Sequence, residues 1–144
     1  MAFFDSSLSV FQITDVAGPT LRDISPYIVS IDGLPGPREF GDVTVLGNGG
    51  HYWQPTLENV TISLELLWSD DSDVGSDTVL GILRTHTAAV AFDYGPEGKG
   101  NGDIKYSGNA WVEDYRILTR VGSMVTARCV LKVNGTVGRT TYTV

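Results

Sequence analysis

The chain is poor in the residue types that most chemistries need. It has a single cysteine, Cys129, so no disulfide can form within it, a pattern that suits a reducing cytosol. Its two histidines, His51 and His86, are too few for a histidine-only metal site, and zinc asks for four nitrogen or sulfur ligands at suitable spacing. No stretch approaches the ~20 apolar residues that span a bilayer, so no membrane partner is expected. The start, Met1-Ala2-Phe3-Phe4-Asp5, has no basic residue and no long apolar run, unlike a secretory signal. The sequons at Asn59 and Asn134 are therefore expected to be idle. Bases are also scarce, with ten Lys and Arg against 17 Asp and Glu and a net charge of −7. Gripping phosphates requires clustered Lys and Arg, so a general nucleic-acid binder is disfavoured.

What is present describes one soluble globular domain. The 144 residues, 42% hydrophobic and 19% charged, are enough for a single core and too apolar for disorder. Neither an internal repeat nor a linker divides residues 1–144. The charges are unevenly placed: residues 1–80 carry twelve acids against Arg22 and Arg38, whereas residues 116–139 carry Arg116, Arg120, Arg128, Lys132 and Arg139 and no acid. Such a division gives either two solvated faces or complementary patches that steer copies of the chain together.

Alternation with period two dominates. Val60, Ile62, Leu64, Leu66 and Trp68 alternate with Thr61, Ser63 and Glu65, which predicts a half-buried strand; Leu67 breaks its polar face. Strands are also expected over 8–15, 23–32, 90–94, 104–115, 116–121, 125–133 and 136–144. Ala17-Gly18-Pro19 predicts a turn, Pro26 biases Ser25 away from helix, and Asn134-Gly135 predicts a tight hairpin. One helix is expected over 77–85, capped by Ser76, with Asp77 and Arg84 at the matching ends of its dipole. Val79, Leu80, Ile82 and Leu83 would form its buried side.

No constellation reaches the standard of an active site. Cys129 falls on the apolar face of its strand and lacks the neighbours that lower a thiol pKa. The run Asp70-Asp71-Ser72-Asp73-Val74-Gly75-Ser76-Asp77 fails the register of a calcium loop: counted from Asp71, Ser76 stands where glycine is required and Ile82 where glutamate is required. Gly98-Lys99-Gly100-Asn101-Gly102 has no following helix and lacks P-loop spacing. Glu113 and Asp114 point to opposite sides of a strand, and no G-x-S-x-G occurs. Neither enzyme activity nor a cofactor is expected.

Residues 34–59 remain: a long connection dense in Gly, Pro and aromatics, of a length that compact domains rarely keep without a use. The strings DISPYIVSIDGLPG-PRE, DVTVLGNGGHYWQP and LENVTISLEL, over 21–67, resemble the tail tube (major tail) proteins of long-tailed, non-contractile bacteriophages, with a looser match at VLGILRT. An aromatic near Leu46, an Asp near Asn48 and a Gly near Thr56 would complete the pattern and are missing here.

The resemblance implies a mainly β fold, an antiparallel sandwich or partial barrel of the tail-tube type with one short helix. It implies a structural virion protein, made in the host cytoplasm, whose six-membered rings stack into a tube through which double-stranded DNA passes without tight binding. Implied partners are the chain itself, a tape-measure protein, a tail terminator and a distal tail protein. Expected interface residues are Leu34, Arg38, Phe40, Asp42, Tyr52 and Trp53 in the long connection, with Arg116, Arg120, Arg128 and Lys132 on the basic face. A competing reading is a monomeric immunoglobulin-like binding domain that recognises its target through 34–59.

Overall fold

The computed structural model describes residues 3–16 and 19–143. The turn expected at Ala17-Gly18 lies outside them. Among the described residues nine strands and one α-helix follow in order: β1 (Val10–Thr14), β2 (Leu21–Asp23), β3 (Ile28–Asp32), β4 (Arg38–Asp42), β5 (Trp53–Glu58), β6 (Thr61–Leu67), α1 (Ser76–Leu83), β7 (Val90–Gly95), β8 (Ile104–Leu118) and β9 (Thr126–Thr141). Seven of them form one antiparallel sheet in the order β2-β1-β7-β8-β9-β6-β3, and β4 pairs with β5 in a separate ribbon. About 49% of the described residues are in strands and 10% are helical, as expected of a mainly β domain.

The sandwich is built from one bent sheet that does not close into a barrel. Strands β8 and β9, of 15 and 16 residues, would each run ~50 Å if straight, and they pair with each other from end to end. Their pairing slips between Ser107 and Asn109 and again between Val112 and Asp114, and such bulges bend and twist a ladder. The segments expected at 104–115 and 116–121 are thus one strand that stops at Leu118, and Arg120 lies beyond it.

The hairpin expected at Asn134-Gly135 does not form: β9 continues through both residues. A two-residue turn of that type needs positive φ at both positions. Gly135 has φ 92°, but Asp73 is the only described non-glycine residue with positive φ. Asn134 stays extended opposite Asn109, and the glycine is absorbed into the bulge opposite Ser107 and Asn109.

The interior follows the alternation. Ile62, Leu64 and Leu66 of β6 face Leu131, Cys129 and Ala127 of β9, each pair in direct register, and all six are buried. Phe11 and Phe92 stack between β1 and β7 with ring centroids 6.0 Å apart. Each fully buried side chain of this size contributes about 1.5–3 kcal/mol. Leu67 is partly exposed, as its place on the polar face requires.

The helix covers one side of this core through Val79, Leu80 and Leu83; Ile82, expected inside, is exposed. Ser76 is not its cap. Gly75 takes that position, and Ser76 is the first helical residue. The fully buried Ser76 hydroxyl instead donates to the Leu67 carbonyl at 2.7 Å and accepts the Ser69 N–H at 3.0 Å, stapling the acidic loop to the end of β6. The Asp77 carboxylate accepts the Tyr115 hydroxyl at 2.9 Å, and Asp71 accepts that of Tyr27. These bonds give the acidic run structural employment, and no group of three or more metal-ligating side chains occurs among the described residues. The extended segment expected over 23–32 is interrupted by a 3-10 turn at Ser25–Tyr27, with Pro26 in its first turn, where the missing N–H costs nothing.

Candidate functional site

The long connection is not an irregular loop. Between the half-buried Leu34 and Glu58 the chain forms the β4–β5 ribbon, in which Asp42 pairs with Trp53 and Arg38 with Glu58. Four of the five β4 residues and five of the six β5 residues are exposed, so neither face of the ribbon is covered. A two-stranded ribbon alone is marginal in water. This arm exposes Phe40, Val43, Val45, Leu46, Tyr52, Trp53 and Leu57, with Leu46 at its tip 103% exposed. Leu34 differs from the other expected interface residues because it packs against the core at the arm's root.

Local bonds shape the arm before any partner arrives. The Asp42 carboxylate accepts the Thr44 N–H at 2.9 Å, and the Thr44 hydroxyl accepts the Tyr52 N–H at 2.9 Å. His51 Nδ1 lies 3.2 Å from the second Asp42 oxygen, and the His51 ring stacks on Trp53 at 5.9 Å. Bonding from Thr44, with His51 adding to it, holds the Asp42 carboxyl below its usual range. The Arg38 guanidinium sits over the Phe40 ring at 5.6 Å. At the root, Gly33 has φ 114°, and a Cβ there would stand 2.1 Å from the Thr61 carbonyl oxygen. Only glycine lets the chain leave β3 this close to β6.

Among the described residues β2 and β3 are the edge strands of the sheet. A groove of about 780 Å³, lined by Leu8, Val10, Phe11, Ile28, Val29 and Tyr94 among others, lies between the first strand and β3. The outer edge of β3 carries ladder groups with no partner strand among the described residues, and natural proteins cover or pair such edges.

The basic residues prove less free than their clustering in sequence implied. Arg128 lies between Glu65 and Arg116 in the sheet register. Arg116 Nε is 2.9 Å from Asp114, and Lys132 donates to Asn59 at 3.3 Å. Arg120 is exposed in the connection between β8 and β9. Acids and bases distant in sequence are thereby interleaved on one sheet face. Cys129 is fully buried, and burial, with the Asp114 charge adding to it, pushes its thiol up to about 12, which leaves it inert at neutral pH.

Further exposed apolar residues escaped the sequence reading: Val29, Leu57, Ile117, Leu118, Val121 and Met124. Leu118 and Val121 sit where alternation stops, and a run without period gives no signal of which side is wet.

No protein-family model and no curated protein matches the sequence. Solved structures do match its fold. A subunit of the bacteriophage SPP1 tail tube superposes with a TM-score of 0.75 at 12% identity, over 99% of this chain and 81% of that one. A chain from the tail of an empty gene transfer agent particle, solved with C6 symmetry, gives 0.71 at 14% identity over 96% and 99%. A chain from the sheath/tube terminator assembly of an extracellular contractile injection system gives 0.68 at 12% identity over 97% and 98%. The chain has the tail-tube fold, as the resemblance of residues 21–67 implied.

Proposed function

We propose that this chain is the tube subunit of a phage tail: a structural virion protein that assembles into rings, six copies each, stacked into a conduit for genomic DNA. The observation that carries this reading is the exposed β4–β5 ribbon on a tail-tube fold that matches tube structures over nearly its whole length. Joining β2 and β3 margins of neighbouring copies would remove the unpaired edges by a head-to-tail contact that closes by rotation. The candidate interface residues fall in two groups: Arg38, Phe40, Asp42, Tyr52 and Trp53 on the arm, with Leu34 seating its root, and Arg116, Arg120, Arg128 and Lys132 on the β8–β9 side. No chemical step is required of any of them.

DNA that must slide is poorly served by lysines and arginines that grip each phosphate. The channel wall is accordingly acidic or neutral, a role that suits the net charge of −7. Charge repeated around each ring would set register between copies, although a single exposed pair contributes only about 0–1 kcal/mol. A tape-measure protein, a tail terminator and a distal tail protein complete the set of partners in the virion tail.

Negative-stain microscopy of the protein at rising concentration tests the proposal. Rings or tubes are the expected result. Featureless single particles at every concentration would sink it and favour a monomeric binding domain.

A further inference from the structure

Three of the five asparagines stand immediately before a glycine: Asn48-Gly49, Asn101-Gly102 and Asn134-Gly135. Such pairs share one intrinsic reactivity. The peptide nitrogen of the glycine can attack the side-chain carbonyl carbon of the asparagine, because no Cβ on the following residue obstructs the approach. The fold sets this reactivity in three different surroundings.

Asn134 lies within β9, paired with Asn109, while Gly138 pairs with Ser107. Closing a ring onto the Gly135 nitrogen would pull Asn134 out of the ladder between the two longest strands. At the second pair the Gly102 N–H is engaged, donating to the Tyr142 carbonyl at 2.9 Å. The Tyr142 N–H in turn donates to the Asp103 carbonyl at 2.8 Å, so two bonds tie this turn to the segment after β9. Asn48 differs on each count. It and Gly49 are exposed at the arm's tip, outside both ribbon strands. The Asn48 N–H donates to the Val45 carbonyl at 3.2 Å, but its side chain and the Gly49 N–H make no hydrogen bond among the described residues. A Cβ at Gly49 or Gly50 would meet nothing within 4 Å, so the backbone has room to close.

We propose that Asn48 is a site of spontaneous self-modification, deamidating through a cyclic imide, and that the fold protects Asn101 and Asn134. The Gly49 nitrogen bonds to Asn48 Cγ and gives its proton to water; the Cγ–Nδ2 bond breaks and ammonia leaves. Water then opens the succinimide at either carbonyl. The products are aspartate at position 48 or its isomer, whose main chain runs through the side-chain carbonyl. Nothing is oxidised or reduced. Either product adds one negative charge to the −7 of the chain, beside the exposed Val45 and Leu46. Older copies are thereby marked on the arm's tip. The inference needs only an exposed tip, so it stands or falls independently of the tube reading.

Peptide mapping by mass spectrometry reads all three sites in the full chain, kept for days in mildly alkaline buffer. Engaging the attacking N–H in one hydrogen bond slows the step by up to about tenfold, and a strand ladder slows it further. Asn48 should therefore convert about tenfold or more faster than Asn101 or Asn134 in the folded chain, with an acidic satellite in isoelectric focusing. In concentrated urea all three should convert at similar rates. Gly49→Ala, whose Cβ enters open space, should melt with the parent and lose most of the satellite. Folded chains in which the three sites convert alike, or in which Asn101 or Asn134 leads, would overturn the proposal. So would an Asn48 that stays intact while the urea-treated chain converts, or a satellite undiminished in Gly49→Ala.

Discussion

The hydroxyl of Tyr142 donates to the Asp93 carboxylate at 2.9 Å, a bond between two buried side chains 49 residues apart. It ties the segment after β9 to β7, and the Lys105 ammonium caps the Tyr142 ring at 5.2 Å. Burial raises the Asp93 carboxyl above its ordinary value, and the Tyr142 bond partly opposes that rise.

Tyr142→Phe therefore leaves an ionised carboxylate buried without its donor. The expected cost is about 1–3 kcal/mol at pH 7, read from urea denaturation. The sign of the pH effect follows from the direction of the shift. A carboxyl whose folded pKa is raised contributes stability at acid pH that is lost as pH rises through the folded value. Removing the hydroxyl raises that value further, so the penalty should be smaller near pH 4 than at pH 7. Equal penalties at both would show that Asp93 is not the group affected.

Gly33 and Gly47 share a positive φ, 114° and 93°, in different surroundings. A Cβ at Gly33 would collide with the Thr61 carbonyl, whereas one at Gly47 would meet nothing within 4 Å. Gly47→Ala should cost about 1 kcal/mol from backbone conformation alone. Gly33→Ala should cost clearly more, because β3 and β6 must also part at the arm's root. Thermal melting of the two variants decides it, and a Gly33 variant as stable as the Gly47 variant would refute the account.

Legibility in the sequence tracked how local each determinant was. The core face of β6 was readable because every second residue from Val60 to Leu66 is apolar and one side of the strand is wet. The arm was visible as a long connection with exposed aromatics, but its two strands were not. Their residues are wet on both faces, so no alternation marks them. Asn134-Gly135 misled because pairing with β8 outweighs a turn preference decided by only two residues. The row of Glu65, Arg128 and Arg116 was hidden for the opposite reason: it depends on a register that couples β6, β9 and β8 across the chain. The exposed Val121 and Met124 sit between β8 and β9, where apolar identity carries no periodic message.

Cys129 makes a sharp chemical prediction. Burial pushes its thiol to about 12, against an ordinary 9.0, so the native protein should resist thiol reagents at pH 8 and react only on unfolding. A raised thiol value contributes stability that is whole below the unfolded pKa and is lost as pH climbs through the folded one. Stability should thus fall between pH 9 and about 12, and Tyr115 and Tyr142, both raised mainly by burial, should share in that loss. Cys129→Ala should flatten part of the alkaline slope in urea titrations. Rapid labelling of the folded chain would contradict its burial.

The register shows where the arm's tip can be cut back. Asp42 pairs with Trp53, so deleting residues 43–50 leaves His51 and Tyr52 as a two-residue connection, a length that antiparallel ribbons close readily. The deleted segment holds Val43, Val45 and Leu46, all exposed, so the core loses nothing. Monomer stability should change by less than about 1 kcal/mol, the range expected for surface changes away from the core and its networks. On the proposed function tube formation should fail, because each copy loses the apolar tip proposed to meet its neighbour. Unfolding curves and negative-stain microscopy separate the two effects. A destabilised monomer would mean that the arm packs on its own body. Unimpaired tubes from a stable variant would mean that ring stacking depends on other surfaces.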